Sequence, residues 1–497
     1  MRSLAHAARR RLPSAGAAAL ALALAAPSGG CAGPDRPAAV APGAEPGSEE
    51  VSFAVTERRT ESGAVPQGPP PAQVVEVLRE IDEQRLRADV DALAAFGTRH
   101  TLSETESPTR GIGAARRWLR ERLDEAAAGA GGAPMTVELE RHPIEPDGRR
   151  IPRPVDVVNV VALLPGTMAE ARDRRYYVIA HYDSRASDAL DDESDAPGAN
   201  DDASGTALVL ELARVMAPRS WDSTLVFMAV AGEEQGLFGS RAHAEKAERE
   251  GWDVRAVLSN DIVGDPTAPS GHSYPERVRV FSEAVPAEPS PERLAEIRLL
   301  GAESDSPSRE LARYTARVAA LHRTGVRPMP VFRADRFLRG GDHLAFNEQG
   351  FPAVRFTEVA ENYARQHQDV REEAGVRYGD LPEFVDAGYL AGVARLNAAV
   401  LGHLANAPAP PAEARIVVAG LTDDTTLRWR RGTEPDLAGY EVVWRPTDTP
   451  YWQEARDVGD VTEAVLPLSK DNYFFGVRAY DRDGYRSPVA FPTAARE

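Results

Sequence analysis

The chain has 497 residues, of which 42% are hydrophobic and 27% charged, enough for a large buried core and more than one domain. Its formal net charge of -18 argues against a nucleic acid partner, because phosphate binding needs clustered Lys and Arg. The single Cys excludes an internal disulfide, so stability has to come from packing and bound metal.

Residues 1–31 have the pattern of an export signal. A basic segment, RSLAHAARRR, precedes an apolar stretch over residues 15–26 that is too short to span a bilayer, and SGGC ends at Cys31. This ending resembles a bacterial lipobox, although Ser28 replaces the usual Leu. We therefore expect an exported lipoprotein of the periplasm or cell envelope, in contact with the membrane only through a lipid on Cys31, or alternatively a secreted protein.

Residues 32–73 are rich in Pro, Ala, Gly and Glu and cannot bury much apolar surface, which predicts a flexible tether. Globular sequence begins near Val74. Leu86, Val90 and Leu93 recur at helical spacing, and a second such pattern starts at Ile112. Two amphipathic helices are therefore expected before the first strand.

Five short runs of β-branched and apolar residues follow, separated by helical patterns. They show little alternation, as expected for strands covered on both faces. Strands that alternate with helices predict an α/β fold for residues 74–405, an α/β/α sandwich around a mostly parallel sheet whose ligands bind at the carboxyl ends of the strands. The runs are 157–164, 176–180, 224–230, 254–262 and 353–356.

Three later segments depart from this pattern. Residues 266–308 form a long polar insertion with one strand-like run, RVRVF, which is interpreted either as a lid beside the site or as surface decoration. Residues 406–413, NAPAPPAE, are typical of a proline-rich linker. Alternating strands then fill residues 414–497, which resemble a fibronectin type III domain, a small all-β sandwich with Trp429 in its core. That sandwich could bind a protein or a polysaccharide.

Side chains that bind divalent metals fall at the ends of the predicted strands and on glycine-rich loops. Each motif alone is also typical of a surface pair or a helix cap. Together they supply the imidazole and carboxylate donors that zinc prefers. They are His181 and Asp183 in AHYDS, Asp201 in GANDDASG, Glu233 and Glu234 in AGEEQG, Asp261 in SNDIVG, and His343 in GGDHLAF.

The string from Tyr176 to Ser240, with SNDIVGD and GGDHLAFNEQGFPAVRFTE, resembles the co-catalytic zinc aminopeptidases of peptidase family M28. The similarity covers roughly residues 74–405. It implies two Zn²⁺ ions and a peptide substrate. The ligands that it implies are His181 and Asp261 on one zinc, Glu234 and His343 on the other, and Asp201 bridging both.

The resemblance also implies roles beside the metals. Glu233 is the expected general base, which takes a proton from water and passes it to the leaving amine. Asp183 is expected to orient His181 from behind. Tyr363 is the candidate donor to the oxyanion, whereas the nearby His367 is interpreted as a structural histidine. Asp202 is interpreted as a helix-start carboxylate.

These residues favour an exported two-zinc exopeptidase that removes N-terminal residues. A first alternative is a single-zinc glutaminyl cyclase, although such enzymes typically interrupt the segment after the paired glutamates and GEEQGLFGS is continuous here. A second alternative is a non-catalytic peptide-binding or receptor-like member of the fold, which would be expected to have lost metal ligands. Aminopeptidase, carboxypeptidase and dipeptidase activities share this centre, and no motif distinguishes them.

Overall fold

The structure is a computed structural model that describes residues 68–286 and 288–495. The predicted export signal, Cys31 and nearly all of the predicted tether lie outside these residues. Within the described ranges, no helix is long and apolar enough to cross a membrane.

A central sheet of eight strands has the order β1-β2-β4-β3-β5-β8-β6-β7. Its middle strands β4, β3, β5 and β8 run parallel, whereas β2 is antiparallel to β1 and β4, and β6 is antiparallel to β8. The strands are β1 (Thr136–Ile144), β2 (Val155–Leu164), β3 (Arg174–His181), β4 (Thr224–Val230), β5 (Asp253–Asn260), β6 (Arg277–Ser282), β7 (Arg327–Val331) and β8 (Ala353–Thr357).

Helices cover both faces of this sheet, because alternate residues of its strands are apolar on both sides. In β3, Tyr176 and Val178 pack into one core with α4 and α10, while Tyr177 and Ile179 pack into a second core with α6 and α9. The predicted α/β/α sandwich is confirmed. The helices are α1 (Ala72–Glu80), α2 (Glu83–Ala94), α3 (Gly111–Ala128), α4 (Ala203–Met216), α5 (Glu233–Gly236), α6 (Phe238–Arg249), α7 (Pro291–Leu300), α8 (Pro307–Leu321), α9 (His343–Glu348) and α10 (Ala387–Asn406).

The insertion over residues 266–308 contributes to the sheet itself. Its strand-like run forms β6, which pairs with β8 on one side and with β7 on the other. The two interpretations of the insertion, a lid or a surface addition, therefore do not apply to this strand, which is an inner strand of the sheet. A small hairpin of β9 (Arg371–Glu373) and β10 (Val376–Tyr378) follows β8.

The C-terminal strands form two small sheets, of four and three strands, in the orders β15-β12-β11-β17 and β14-β13-β16. Trp429 is buried between them with Leu427, Val442 and Val477. The small all-β unit is thus present, and its likeness to fibronectin type III stays a prediction. The strands are β11 (Ala412–Val417), β12 (Thr425–Arg430), β13 (Leu437–Pro446), β14 (Glu454–Gly459), β15 (Glu463–Leu466), β16 (Tyr473–Asp481) and β17 (Thr493–Ala495).

The segment predicted to be a linker is packed against both parts of the chain. Arg174 Nη2 donates to the carbonyl of Ala407 at 3.2 Å, and the N–H of Ala409 donates to Glu434 Oε1 at 2.7 Å. Arg174 Nη1 also reaches Glu434 Oε1 at 2.5 Å, and both side chains are buried. Residues 406–413 therefore belong to a polar junction between the sheet and the C-terminal strands.

Candidate metal centre

Polar side chains converge where neighbouring parallel strands end. His181 is the last residue of β3, Glu233 and Glu234 follow β4, and Asp261 follows β5. Because the carboxyl ends of parallel neighbours meet at one edge of a sheet, these side chains share one cleft. Asp201 reaches the same place from the loop before α4, which places a fifth side chain there.

The first group of candidate ligands consists of His181, Asp201 and Asp261. His181 Nε2 lies 3.1 Å from Asp201 Oδ1 and 3.8 Å from Asp261 Oδ1. Burial alone would lower the pKa of His181, but the nearby carboxylates of Asp201 and Asp261 raise it well above its usual value. Its Nε2 is buried and has no geometrically sound hydrogen-bond partner among the described residues. A buried imidazole nitrogen aimed at carboxylates without such a partner fits a zinc position.

The second group of candidate ligands consists of His367, Glu234 and again Asp201. His367 Nε2 lies 3.0 Å from Asp201 Oδ2 and 3.0 Å from Glu234 Oε1. Burial alone would lower the pKa of His367, but the carboxylates of Glu234 and Asp201 raise it to about 10. Asp201 thus turns one oxygen to each histidine, which is the arrangement that a ligand shared by two cations requires.

The structure does not bring His343 into either group, which departs from the prediction made from GGDHLAF. His343 begins α9 and is fully buried, with Nε2 2.9 Å from the carbonyl oxygen of Ala334 and 3.6 Å from Asp335 Oδ2. Asp335 contacts Arg355 Nη1 at 3.2 Å, and Arg355 Nη2 lies 3.0 Å from Asp261 Oδ2. His343 therefore supports the network behind Asp261, and its predicted place beside Glu234 is taken by His367.

The neighbouring carboxylates Asp201 and Asp202 have different surroundings. Asp202 Oδ1 accepts from the N–H of Gly205 at 3.0 Å and of Ile262 at 3.3 Å, and its Oδ2 accepts from the N–H of His181 at 3.3 Å. The first of these bonds caps α4, as expected for a helix-start carboxylate. Although Asp202 lies close enough to His181 to hold an ion with it, its oxygens already have partners, so Asp201 fits the ligand role better.

Asp183 supports the centre in two ways. Its main-chain oxygen lies 3.0 Å from His181 Nδ1, so the carbonyl and not the carboxylate orients the imidazole. Its carboxylate lies 3.7 Å from that nitrogen and accepts instead from the N–H groups of Glu233 and Glu234, at 3.3 and 3.2 Å. Thr101 donates to the same carboxylate at 2.8 Å. Asp183 therefore links the end of β3 to the turn after β4.

Two residues that the sequence analysis did not single out hold Asp201 in place. Asp380 accepts from the N–H groups of Asn200 and Asp201, at 2.9 and 2.7 Å, and Gln366 Nε2 donates to Asp201 Oδ2 at 2.9 Å. Burial raises the pKa of Asp380 to about 7. These contacts come from a loop far along the chain, and no local pattern marks them.

Glu233 lines an open cleft of about 760 Å³ beside the two groups. Burial raises the pKa of Glu233 well above its usual value, and the carboxylates of Asp261 and Glu234 add to the rise. Tyr363 lines the same cleft with 61% of its surface exposed, and its ring lies 5.6 Å from the guanidinium carbon of Arg339. Glu233 therefore shares the cleft with Asp201, Glu234 and Asp261, while its role as general base and a donor role for Tyr363 stay predictions.

Comparison with known proteins identifies the family to which the chain is related. The model of "Peptidase family M28" matches residues 159–375. A "Probable zinc metalloprotease" of Pyrenophora teres f. teres is 46% identical over 433 residues, which cover 87% of this chain and 89% of the relative. The chain belongs to peptidase family M28.

Two further proteins are similar to this M28 chain. A "Probable zinc metalloprotease" of Pyricularia oryzae is 47% identical over 429 residues, 85% of each chain. The solved structure of LapB from Legionella pneumophila matches 71% of this chain and 82% of its own, with 18% identity and a TM-score of 0.48.

The relatives correct one prediction. An exported lipoprotein of a bacterial periplasm or cell envelope, or a secreted counterpart, was expected for this M28 chain from the resemblance of SGGC to a lipobox. That prediction is wrong, because the relatives with 46% and 47% identity are fungal zinc metalloproteases and a lipobox is a bacterial signal.

Proposed function

We propose that this chain is a two-zinc exopeptidase that removes N-terminal residues from peptides. The observation that carries the proposal is the position of Asp201, whose two oxygens lie 3.1 Å from His181 and 3.0 Å from His367. Each histidine has a further carboxylate nearby, Asp261 for His181 and Glu234 for His367. The names of the fungal relatives, probable zinc metalloproteases, support the choice of metal.

Mixed imidazole and carboxylate donors fit zinc, and each group leaves room for water and substrate. His181, Asp201 and Asp261 would hold one ion; Asp201, Glu234 and His367 would hold the other. Two bound zinc ions would polarise the scissile carbonyl and lower the pKa of a nearby water.

Glu233 performs the proton transfers in this proposal. Its carboxylate lines the cleft, and its main chain is fixed by the hydrogen bond from its N–H to Asp183 Oδ1. It accepts a proton from the attacking water and delivers that proton to the nitrogen of the departing amine. A raised pKa favours both transfers, because the carboxyl group can then hold the proton between the two steps.

The geometry favours two ions over one. A single-zinc cyclase needs one group of ligands, whereas this cleft holds two groups of potential ligand atoms, and the oxygens of Asp201 face a histidine of each group. A receptor-like protein without activity needs neither group nor a free carboxylate such as Glu233.

Metal analysis and one pair of peptides test this proposal. We expect about two zinc per purified chain, and cleavage of a peptide with a free N-terminus but not of the same peptide after N-acetylation. A zinc content near one would favour the cyclase alternative. Equal cleavage of both peptides would exclude aminopeptidase activity.

A further inference from the structure

The cleft beside the candidate metal centre is lined by an unusual number of cationic side chains. They come from the β1–β2 loop, the loop after β3, α6, the segment between β7 and α9, and β8. The seven are Arg149, Arg150, Arg185, Arg241, Arg336, Arg339 and Arg355.

Some of these arginines are paired with carboxylates of the chain. Arg336 Nη1 and Arg339 Nη1 lie 2.6 and 3.0 Å from Glu361 Oε2, and Arg279 binds the other oxygen at 2.8 Å. One carboxylate therefore serves three guanidinium groups. Arg241 lies 3.3 Å from Glu348.

Three of the arginines have no carboxylate partner among the described residues. Arg150 Nη1 donates to the main-chain carbonyl of Glu234 at 2.5 Å. Arg185 donates only to nearby main-chain carbonyls, at 3.3 Å, and the guanidinium of Arg149 forms no hydrogen bond or ion pair with any residue that the structure describes. Carbonyl oxygens leave the charge of a guanidinium uncompensated, so the mouth of the cleft carries excess positive charge.

The acidic side chains of the cleft do not offset this excess. Apart from the candidate ligands and Glu233, Asp147 is the single carboxylate among the described residues that line it. Asp147 Oδ1 accepts from the N–H groups of Arg149, Arg150 and Ile151, at 2.8 to 2.9 Å, and so holds the β1–β2 loop that presents the arginines. Bound zinc would add further positive charge nearby.

We propose that Arg149, Arg150 and Arg185 select substrates that carry a carboxylate close to the scissile bond. The inference rests on the proposed peptidase function and narrows its substrate class to acidic peptides. Two sources supply this chemistry: an N-terminal Glu or Asp side chain, or the free C-terminal carboxylate of a short peptide. Guanidinium groups bind either carboxylate through paired charge-assisted hydrogen bonds.

Three peptides distinguish these sources: Glu-Ala-Ala-amide, Gln-Ala-Ala-amide and Gln-Ala-Ala with a free C-terminus. Their dissociation constants are measured by calorimetry on the zinc-loaded Glu233→Gln variant, whose turnover is expected to be about 10²-fold or more below that of the wild type. Their kcat/KM values are measured on the wild-type enzyme. We expect one acidic peptide to bind at least about tenfold more tightly than the uncharged amide. If Glu-Ala-Ala-amide binds more tightly than Gln-Ala-Ala-amide, the arginines recognise an acidic N-terminal side chain. If Gln-Ala-Ala with a free C-terminus binds more tightly than its amide, they recognise the C-terminal carboxylate. Equal dissociation constants for all three overturn the inference.

Separate Arg149→Gln and Arg185→Gln variants connect the preference to the residues. Each substitution should reduce, several-fold, the ratio of the affinity for the acidic peptide to the affinity for the uncharged amide. The zinc content should stay unchanged. The control is Arg323→Gln, an exposed arginine outside the cleft, which should keep the ratio. Unchanged ratios in both cleft variants overturn the assignment. Selective binding without any turnover by the wild-type enzyme would contradict the proposed function and leave the binding inference supported.

Discussion

Glu233 and Glu234 are neighbours in the chain, but their side chains have different surroundings. Glu234 Oε1 lies 3.0 Å from His367 Nε2 and is buried, whereas Glu233 is only partly buried and lines the cleft. A four-residue helix, α5, begins at this pair, after Gly232 turns the chain with a φ of 76°. The turn lets two identical residues point at different partners.

Replacement of Glu233 should therefore separate catalysis from metal binding. We expect Glu233→Gln to keep about two zinc while turnover falls by about 10²-fold or more, since the amide cannot accept the proton. Zinc analysis and steady-state kinetics measure the two effects. The control is Glu248→Gln on the exposed part of α6, which should change neither. A fully active Glu233→Gln enzyme would remove Glu233 as the base.

The two candidate histidines can be told apart in the same way. His367→Ala should lower the zinc content from about two to about one, because His367 is the sole imidazole beside Glu234 among the described residues. His343→Ala should keep both ions but lower the free energy of unfolding by about 1–3 kcal/mol, because a buried hydrogen bond to Ala334 is lost. Loss of zinc from His343→Ala alone would reverse the assignment.

Asp201 and Asp202 form a matched pair for the shared-ligand role. Asp201→Asn should reduce binding of both zinc ions, since its oxygens face both histidines. Asp202→Asn should retain both ions, because the side chain serves the N-terminus of α4. Retention of one full zinc by Asp201→Asn would argue against a shared ligand.

Much of the centre could be predicted from local sequence. His181 ends an apolar strand, Asp261 directly follows one, and Glu234 lies four residues after one, so the end of a strand closely determines the position of each side chain. His367 lies ten residues after β8 in a loop with no periodicity, and its own φ of 53° is rare for a non-glycine residue. The polar run ENYARQHQ after β8 was the available signal for it.

At the scale of elements, prediction succeeded where strands are covered on both faces. The run predicted over 224–230 is β4 at the same bounds, because every residue of it is buried. β1 and β7 were not predicted. β1 alternates between exposed and partly buried residues at one edge of the sheet, and β7 has the sequence RPMPV, whose prolines are uncommon in strands.

The end of β6 carries a group that should make stability depend on pH. Burial raises the pKa of Glu283 from 4.5 to about 7. The folded state then binds a proton more tightly than the unfolded state, so this group makes stability fall as pH rises from about 4.5 to about 7. Glu283→Gln should remove that fall, on the order of 1–3 kcal/mol, and be more stable than wild type at pH 8. Denaturant titrations at several pH values across this range measure the free energy of unfolding of both proteins. The same dependence of this free energy on pH in both proteins would contradict the prediction.

At the scale of the whole molecule, the C-terminal strands are joined to the sandwich by buried charge. Arg445 Nη2 lies 2.7 Å from both oxygens of Asp305, and Trp452 Nε1 donates to Glu310 at 3.0 Å. All the described residues fall in one compact unit. The proline-rich composition of 406–413 suggested a linker, because sequence alone does not show which side chains meet across it.

A single cooperative unfolding transition is therefore expected by calorimetry. Glu434→Ala should lower the free energy of unfolding by about 3–5 kcal/mol, because Arg174 is left buried without its partner. Asp460→Asn, which breaks an exposed pair with Arg431 in the same C-terminal unit, is the control and should have little effect. Two separate transitions in the wild-type protein would show that the C-terminal strands unfold independently.

The candidate ligands are widely spaced along the chain, from His181 to His367, and Asp380 must also arrive before Asp201 is held. Contacts between such distant residues close large loops, and the conformational entropy lost in closing them has to be offset by packing elsewhere in the fold. The centre that we propose therefore depends on the integrity of the whole sandwich. Destabilising substitutions far from the cleft should for this reason weaken zinc binding as well as stability.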